Sequence, residues 1–286
     1  MQALAEFILR GRLQAFAIAI LGSIFPLISP ATIGLVSLKK GIKEGILIFL
    51  WVSLPLLLLQ QMSPDNPLLM AVTIASLGIM VIAAAVHSLM ASWQWSLVTI
   101  LVVSGVIAVG FNLFMGAYVD ALVTAGQTML LSIAQQQAAE ISLVVSLPLV
   151  LGLIATILLY GSVMSLILAR WWQALLFNPG GFQKEFHSFS LDAKIAVLLV
   201  MIVGLVLFMP TDYLLWAYIV GSPLIFAGIA LVHHVTKQLN LGSQWLAFLY
   251  VGLIIVGKPI TVALVVIGLA DSLIDLRSKL ANYKKS

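Results

Sequence analysis

Long apolar segments recur along this chain of 286 residues at lengths typical of membrane helices. A helix needs about 20 mostly apolar residues to cross the hydrocarbon core of a bilayer. We predict eight full spans on this pattern, at residues 44–60, 67–89, 96–115, 143–169, 193–210, 213–236, 243–257 and 259–276. The predicted fold class is therefore all-α, a polytopic transmembrane helical bundle that forms one domain over residues 1–286.

The apolar segment 13–38 differs from the others because two prolines interrupt it. Each proline removes a helix hydrogen bond and restricts the residue before it. We predict two half-helices, about 13–25 and 31–38, that form a broken or re-entrant hairpin. The backbone groups freed at such a break can line a ligand site near the membrane midplane, and the candidate residues are Pro26, Ser29 and Pro30.

Two further segments show the pattern of helices that lie along a membrane surface. Residues 1–12 place apolar side chains beside Glu6, Arg10 and Arg12, which predicts a short interfacial helix. Residues 117–142 are too polar to span, but their apolar positions recur at helical spacing. We predict an amphipathic helix there, on the outer surface or capping a cavity.

Composition supports a membrane protein and excludes other classes. Hydrophobic residues make up 62% of the chain and charged residues 8%, against about a quarter charged in soluble proteins. The net charge of +4 comes from basic residues at segment ends, so we expect no nucleic-acid partner. The absence of cysteine excludes disulfides, thiolate metal sites and cysteine nucleophiles.

The basic residues indicate the orientation. If 13–38 returns to the face it came from, 13 of the 14 lysines and arginines fall on one side and only Lys258 lies opposite. If 13–38 crosses, Lys39 and Lys40 are separated from Arg10 and Arg12. The excess of lysine and arginine in cytoplasmic loops favours the hairpin. We therefore expect a bacterial inner-membrane protein with both termini in the cytoplasm.

The longest inner segment, predicted as a cytoplasmic loop over residues 170–192, contains Asn-Pro-Gly-Gly at 178–181. Proline fixes φ at the second position and glycine accepts a positive φ at the third, which predicts a type II turn. Trp171 and Trp172 at the end of a span are most simply an aromatic belt. The functional alternative is a surface for a cytoplasmic or membrane protein partner, formed by Asn178, Gly180, Gly181, Phe182, Glu185 and Phe186, with Asp275 and Arg277 from the C-terminal end.

Asp271 is the only acid predicted below the membrane surface. It would share a helix face with Asp275. Asp275 can pair with Lys279, four residues further on, so Asp271 is left without a local partner. Intramembrane ionisable groups usually face the bundle interior or a cavity. We consider a ligand-binding or assembly role for Asp271, against the simpler possibility that it reaches the headgroups or a basic residue of another inner loop.

The remaining residues show no catalytic pattern. The four histidines have no zinc-site spacing, and HExxH, Gly-x-Ser-x-Gly and Walker-type motifs are absent. Three histidines, His87, His233 and His234, are expected at membrane interfaces, and His187 in the exposed loop. We predict no catalytic residue, no metal and no cofactor.

Three stretches together resemble the YybS-like family of bacterial integral membrane proteins. They are the doubled-proline segment followed by residues 34–45, the turn at 178–182, and residues 268–277. That family is grouped with the S components of energy-coupling-factor transporters and with the cell-shape protein MreD. The resemblance implies a compact bundle that binds a small molecule, or docks onto a partner, without doing chemistry. In S components, small residues four apart on the first helix meet the coupling subunit, and Ala15 and Ala19 have that spacing here.

Two functions remain open at this level. The first is a non-catalytic, small-molecule-binding or transporter-like membrane component. The second is a membrane scaffold that recruits a cytoplasmic partner through 170–192 and the basic C-terminus. An intramembrane enzyme is a distant third, because the spans offer almost no acids, bases or nucleophiles. A channel is disfavoured because no charged ring or glycine-rich filter is evident.

Overall fold

The computed structural model describes residues 1–25, 27–62, 67–137 and 144–283. Every regular element in these ranges is helical, which confirms the all-α prediction. Pro26, one of the predicted ligand-site residues, lies outside the described residues. The α-helices are α1 (Gln2–Arg10), α2 (Arg12–Leu21), α3 (Ile28–Lys40), α4 (Ile42–Met62), α5 (Pro67–Met90), α6 (Trp93–Gln137), α7 (Leu147–Phe177), α8 (Gly181–Ser188), α9 (Ala193–Leu207), α10 (Leu214–Gln238), α11 (Gln244–Ile255), α12 (Lys258–Ile274) and α13 (Leu276–Tyr283).

Five helical segments among the described residues are long and apolar enough to cross a membrane. They are α4, α5, α6, α7 and α10, and the number is six if α8 and α9, bent by 66°, count as one span. The predicted spans at 243–257 and 259–276 correspond to α11 and α12, which have 12 and 17 residues. Of the eight predicted spans, only these five or six correspond to described helices that are long and apolar enough to cross. Glycine and proline shorten the others, since α9 ends before Pro210 and α11 before Gly257 and Pro259.

The N-terminal segment breaks and turns back. A 3-10 turn at Gly22–Ile24 ends α2, and α3 then returns over 13 residues rather than the predicted eight. Pro30 lies in the first turn of α3, where a missing N–H costs no hydrogen bond. The side chain of Arg12, at the start of α2, donates to the Glu44 carboxylate at 2.6 and 2.8 Å. Both ends of the hairpin therefore lie at the same end of the bundle.

The hairpin is too short to span on its own and is packed inside the protein. At 1.5 Å per residue, the 13 residues of α3 extend roughly 20 Å, less than the roughly 30 Å hydrocarbon core. Every residue from Ser29 to Ser37 is buried. Ala15 and Ala19 of α2 are also buried within the chain's own core, so they do not present the small-residue surface that the S-component grouping implies.

The predicted amphipathic segment 117–142 continues α6 rather than forming a separate helix. The backbone is non-helical at Met115 (φ −133°, ψ 28°), and helical structure then resumes to Gln137. Val119 is fully buried, whereas Leu122 and Met129 are exposed. Residues 138–142 lie outside the described residues.

The α10 and α12 helices cross at very short distance. Lys258 and Leu214, the first residues of the two helices, border the same crevice, so α10 and α12 run in parallel. A Cβ on Gly228 would lie 2.2 Å from the carbonyl oxygen of Leu264, and one on Gly268 would lie 2.4 Å from that of Leu224. Only glycine allows two backbones this close.

Most of the predicted loop 170–192 is helical. No glycine or proline interrupts residues 170–177, which extend α7, and residues 181–188 form α8. The α8 helix lies across one end of the bundle, which we call the α8 end. The C-terminal parts of α3, α5, α7 and α10 meet there, as shown by contacts at Leu38, His87, Arg170 and His233.

Candidate ligand-binding cavity under α8

A cavity of about 540 Å³ lies between α8 and the adjoining parts of α7, α10 and α11. Ligand pockets in proteins are commonly about 300–1,000 Å³, mainly apolar, with a few polar groups. This cavity fits that description, because its walls carry aromatic and aliphatic side chains with two histidines, one tyrosine and one glutamine. Representative lining residues are Met164, Trp171, Phe182, Phe186, His233 and Tyr250.

The predicted turn positions α8 over the cavity. Gly180 has φ +80° and ψ −7°, and the Gly181 amide donates to the Asn178 carbonyl oxygen at 2.8 Å. These values confirm the type II turn. A Cβ on Gly181 would lie 2.2 Å from the side-chain amide nitrogen of Asn178, a flexible group that can move aside, so the turn requires glycine at position 180, for its φ.

An ion pair fixes α8 to α7. The Arg170 guanidinium donates through Nε to Glu185 Oε2 at 3.0 Å and through Nη2 to Glu185 Oε1. Its Nη1 donates to Gln173 at 2.7 Å, and Gln173 in turn donates to the Leu38 carbonyl oxygen at 3.2 Å. This chain of contacts links α8 through α7 to the end of α3. A second, more polar cavity of about 460 Å³ adjoins the ion pair and His87.

A second arginine holds the other end of α8. Arg277 donates through Nε to Asp271 Oδ2 at 3.0 Å, through Nη1 to the His187 carbonyl oxygen at 2.5 Å, and through Nη2 to the Phe189 carbonyl oxygen. Asp271 is 3% exposed, and its Oδ1 has no hydrogen-bond partner among the described residues. Asp271 thus has a charged partner only six residues away.

The pairing of Asp271 depends on a break that the sequence pattern did not reveal. Asp275 adopts a left-handed conformation (φ 46°, ψ 68°) and ends α12, which turns Arg277 back toward Asp271. The prediction that Asp271 and Asp275 share one helix face is therefore wrong. Asp275 Oδ1 instead accepts a hydrogen bond from the Ser278 amide at 3.2 Å at the start of α13.

Aromatic rings join α8 to α10 and α11. Phe186 lies edge-on to His233 with ring centroids 5.4 Å apart, and Phe182 stacks on Phe186 at 6.1 Å. His233 Nε2 and the Tyr250 hydroxyl are hydrogen-bonded at 2.8 Å. His187 lies 5.9 Å from His233 between ring centroids. The polar groups of the cavity are therefore concentrated at the α8 end.

The electrostatic environment of this end is positive. Partial burial, with the charges of His233, Lys237, His234 and Arg277 around it, lowers the pKa of His187 to about 4. The ammonium group of Lys237 donates to Gln183 Oε1 at 3.3 Å. Among the described residues that line the cavity, none carries a carboxylate.

The sequence-predicted ligand site is separate from this cavity. Ser29 and Pro30 are buried in α3, and the carbonyl oxygen of Leu27 accepts a hydrogen bond from Ser165 at 3.3 Å. The lining of the 540 Å³ cavity includes neither Ser29, Pro30 nor Asp271. The break is thus packed against α7, and Ser165 of α7 satisfies one of the backbone carbonyl groups that were predicted to be free to bind a ligand.

The structure gives the predicted partner-contact residues other neighbours. Gly180, Phe182 and Phe186 line the cavity, and Phe182 also packs edge-on against Trp93 at 6.0 Å. Glu185 is paired with Arg170. The contacts described above place the remaining members: Asn178 and Gly181 lie in the turn, Asp275 precedes α13, and Arg277 in α13 donates to carbonyl oxygens at the end of α8.

Sequence reasoning did not identify the surroundings of several residues at the α8 end. Trp172 is fully buried rather than in an aromatic belt, while Trp171 lines the cavity. His87 is buried too, with Nδ1 3.0 Å from the Ser96 hydroxyl. One signal was available, because the lining residues of α7 and α10 recur at helical spacing, at 164, 167, 171, 174 and 175 and at 226, 229 and 233.

Fold and cavity together define an all-α protein with several helices apolar enough to cross a membrane. No family model, curated protein or solved structure matches the chain.

Proposed function

We propose that this protein is a multi-pass, non-catalytic membrane component that binds a small molecule in the cavity under α8, as a transporter-like or receptor-like subunit. The observation that carries the proposal is the cavity itself, about 540 Å³, walled by aromatic side chains with neutral hydrogen-bonding groups at one end. This is the chemistry of a binding site. The proposal includes membership of the YybS-like family, whose implied role is to bind a small molecule, or to dock onto a partner, without catalysis.

The proposed topology has eight passes and a re-entrant N-terminal hairpin in the bacterial inner membrane. The passes are α4, α5, α6, α7, α9, α10, α11 and α12, with α9, α11 and α12 shorter than a typical span. Its support is the charge distribution, since Arg12, Arg170 and Arg277 belong to the end where the hairpin, α7 and α8 meet, and Lys258 borders the same crevice as Leu214 at the start of α10. The positive-inside rule makes the α8 end cytoplasmic, with both termini.

The absence of cysteine makes this topology directly testable. Single cysteines at the exposed positions Lys184 and Lys258 should react with a membrane-impermeant maleimide from opposite faces of oriented vesicles. Labelling of both from the same face would overturn the proposed orientation.

The binding proposal is tested by filling the cavity. Ile229 lines it, so Ile229→Trp should reduce its volume and abolish the thermal stabilisation that a bound metabolite gives to the purified protein. Ile254→Trp is the matched control, because Ile254 is 84% exposed on α11. If a broad panel of metabolites stabilises neither the native protein nor the control, the binding function is refuted.

The alternative function, a scaffold for a cytoplasmic partner, has weaker structural support. Phe182 and Phe186 pack toward the bundle and Glu185 is paired with Arg170, so these side chains are engaged without a partner. A photo-crosslinker at Lys184, which is exposed on α8, would favour this alternative if it captured one cytoplasmic protein reproducibly.

A further inference from the structure

The cavity under α8 changes from apolar to polar along its length. Met164 and Phe226 form the end of the cavity away from α8, and Phe226 lies 12 residues, or roughly 18 Å, before the end of α10. Gln183, His187 and His233 form the end near α8. A ligand that matches both ends has an apolar body and one polar head.

The charge around the polar end selects the sign of that head. Among the described residues, the carboxylates that approach α8 are already paired, Glu185 with Arg170 and Asp271 with Arg277. Lys237 has no carboxylate within 4 Å in the described part of the chain, and its hydrogen bond is to Gln183 Oε1. Because that oxygen is occupied, the Gln183 side chain has its amide N–H groups left to donate. A lysine and amide donors favour an anion.

The wall formed by α11 leaves the cavity accessible from the side. Tyr250 contributes to that wall, yet no residue of α11 is buried, and its outer residues Phe248 and Ile254 are 67% and 84% exposed. Because α11 packs so little against its neighbours, we expect it to move away from them readily. Lateral access suits a ligand that partitions into the bilayer.

We infer that the ligand is an anionic amphiphile, a molecule with a single carboxylate or phosphate-monoester head and an apolar tail. Its head lies between Gln183, His187 and Lys237, and its tail extends between α7 and α10 toward Met164 and Phe226. The inference rests on the proposed binding function and names the chemical class of its ligand.

The test compares 12-carbon amphiphiles that differ only in the head. Protein in phosphatidylcholine nanodiscs is titrated with dodecanoate, dodecyl phosphate, dodecanol and dodecyltrimethylammonium, and binding is followed by thermal stabilisation. We expect the two anions to bind at least roughly tenfold more tightly than the neutral and cationic compounds, since a charge-assisted hydrogen bond contributes about that much. Acetate and inorganic phosphate, which lack the tail, should not compete.

Variants connect the preference to Lys237. Lys237→Gln should weaken dodecanoate binding roughly tenfold and leave dodecanol binding within about twofold, and Lys237→Arg should restore it. Lys184→Gln is the matched control, because Lys184 is also an exposed lysine at the α8 end, whereas Lys237 is the lysine that donates to the cavity-lining Gln183 among the described contacts.

The outcomes separate this inference from the function on which it rests. Equal binding of all four heads, blocked by Ile229→Trp, would overturn the anionic head and leave the binding cavity standing. Competition by acetate or phosphate at matched concentration would overturn the tail. Binding of no amphiphile, with stabilisation by a hydrophilic metabolite, would also refute the inference alone. Binding that Ile229→Trp does not affect would place the ligand elsewhere and refute both proposals.

Discussion

Replacing Gly228 with alanine is expected to force α10 and α12 apart. The added Cβ would lie 2.2 Å from the Leu264 carbonyl oxygen and 2.9 Å from its carbonyl carbon. Both are backbone atoms of the neighbouring helix, so no side-chain rotation can relieve the contact. The helices must separate by roughly 1 Å to restore van der Waals distance.

Two opposing effects set the size of the change. Alanine in place of a helical glycine stabilises by up to about 1 kcal/mol, whereas overpacking a close interface costs about 1–3 kcal/mol and sometimes more. Because the clash is with backbone, we expect the upper part of that range and a net loss of about 1–2 kcal/mol. Binding should weaken as well, since α10 also carries Phe226, Ile229 and His233 of the cavity wall.

The assay is equilibrium unfolding of purified protein in mixed micelles, with Gly161→Ala as the matched control. Gly161 is a helical glycine on α7 whose added Cβ would meet no atom within 4 Å, so that variant should be neutral or slightly stabilised. If Gly228→Ala unfolds at the same denaturant concentration as Gly161→Ala, the close crossing of α10 and α12 is refuted.

Four other substitutions test the contacts and the turn that hold α8. Arg277→Gln should lower the free energy of unfolding by about 3–5 kcal/mol, because it leaves the Asp271 carboxylate buried without its cation. Asp271→Asn should lower it less, because the hydrogen bonds of Arg277 to two carbonyl oxygens remain. Equal losses in the two variants would argue against the buried pair. Gly180→Ala should lower stability by about 1–2 kcal/mol, since φ is +80° there, and an unchanged melting temperature would contradict the turn geometry. The pKa of His187 is lowered to about 4 from an ordinary 6.5, so the unfolded chain binds the proton more readily than the folded protein. The contribution of His187 to stability should therefore be complete above pH 6.5 and be lost as the pH falls toward 4. His187→Gln should flatten that part of the plot of melting temperature against pH, and an unchanged plot would refute the assignment.

Some helices could be predicted from the local sequence pattern more accurately than others. The apolar segments around α4, α5 and α10 located those helices within about two residues at each end, because a continuous apolar run and a helix end are local properties. The prediction for α7 ended at residue 169, whereas the helix continues to Phe177. The turn at Gly180 was also predictable, since it depends on one proline and two glycines. The continuation of α6 past Met115 was not, because a kink and a helix end look alike in composition.

The candidate site was predicted less well than the fold. Gly180, Phe182 and Phe186 were singled out as contact residues and do belong to the cavity, but the role assigned to them was an outward-facing one. The direction of these side chains depends on where α8 packs, and Arg277, 90 residues beyond His187, helps to set that position. No local pattern encodes a contact over such a separation.

The sequence by itself determined that this chain is a bundle of apolar helices and that its N-terminal segment is interrupted, because transfer free energy and proline geometry act on each segment separately. Only the tertiary structure decided that the break is packed against α7 and that a cavity opens under α8 instead. The position of a cavity depends on how closely the helices pack along their lengths. At Gly228 and Gly268, α10 and α12 are too close for any side chain, whereas the helices under α8 are further apart and leave a cavity.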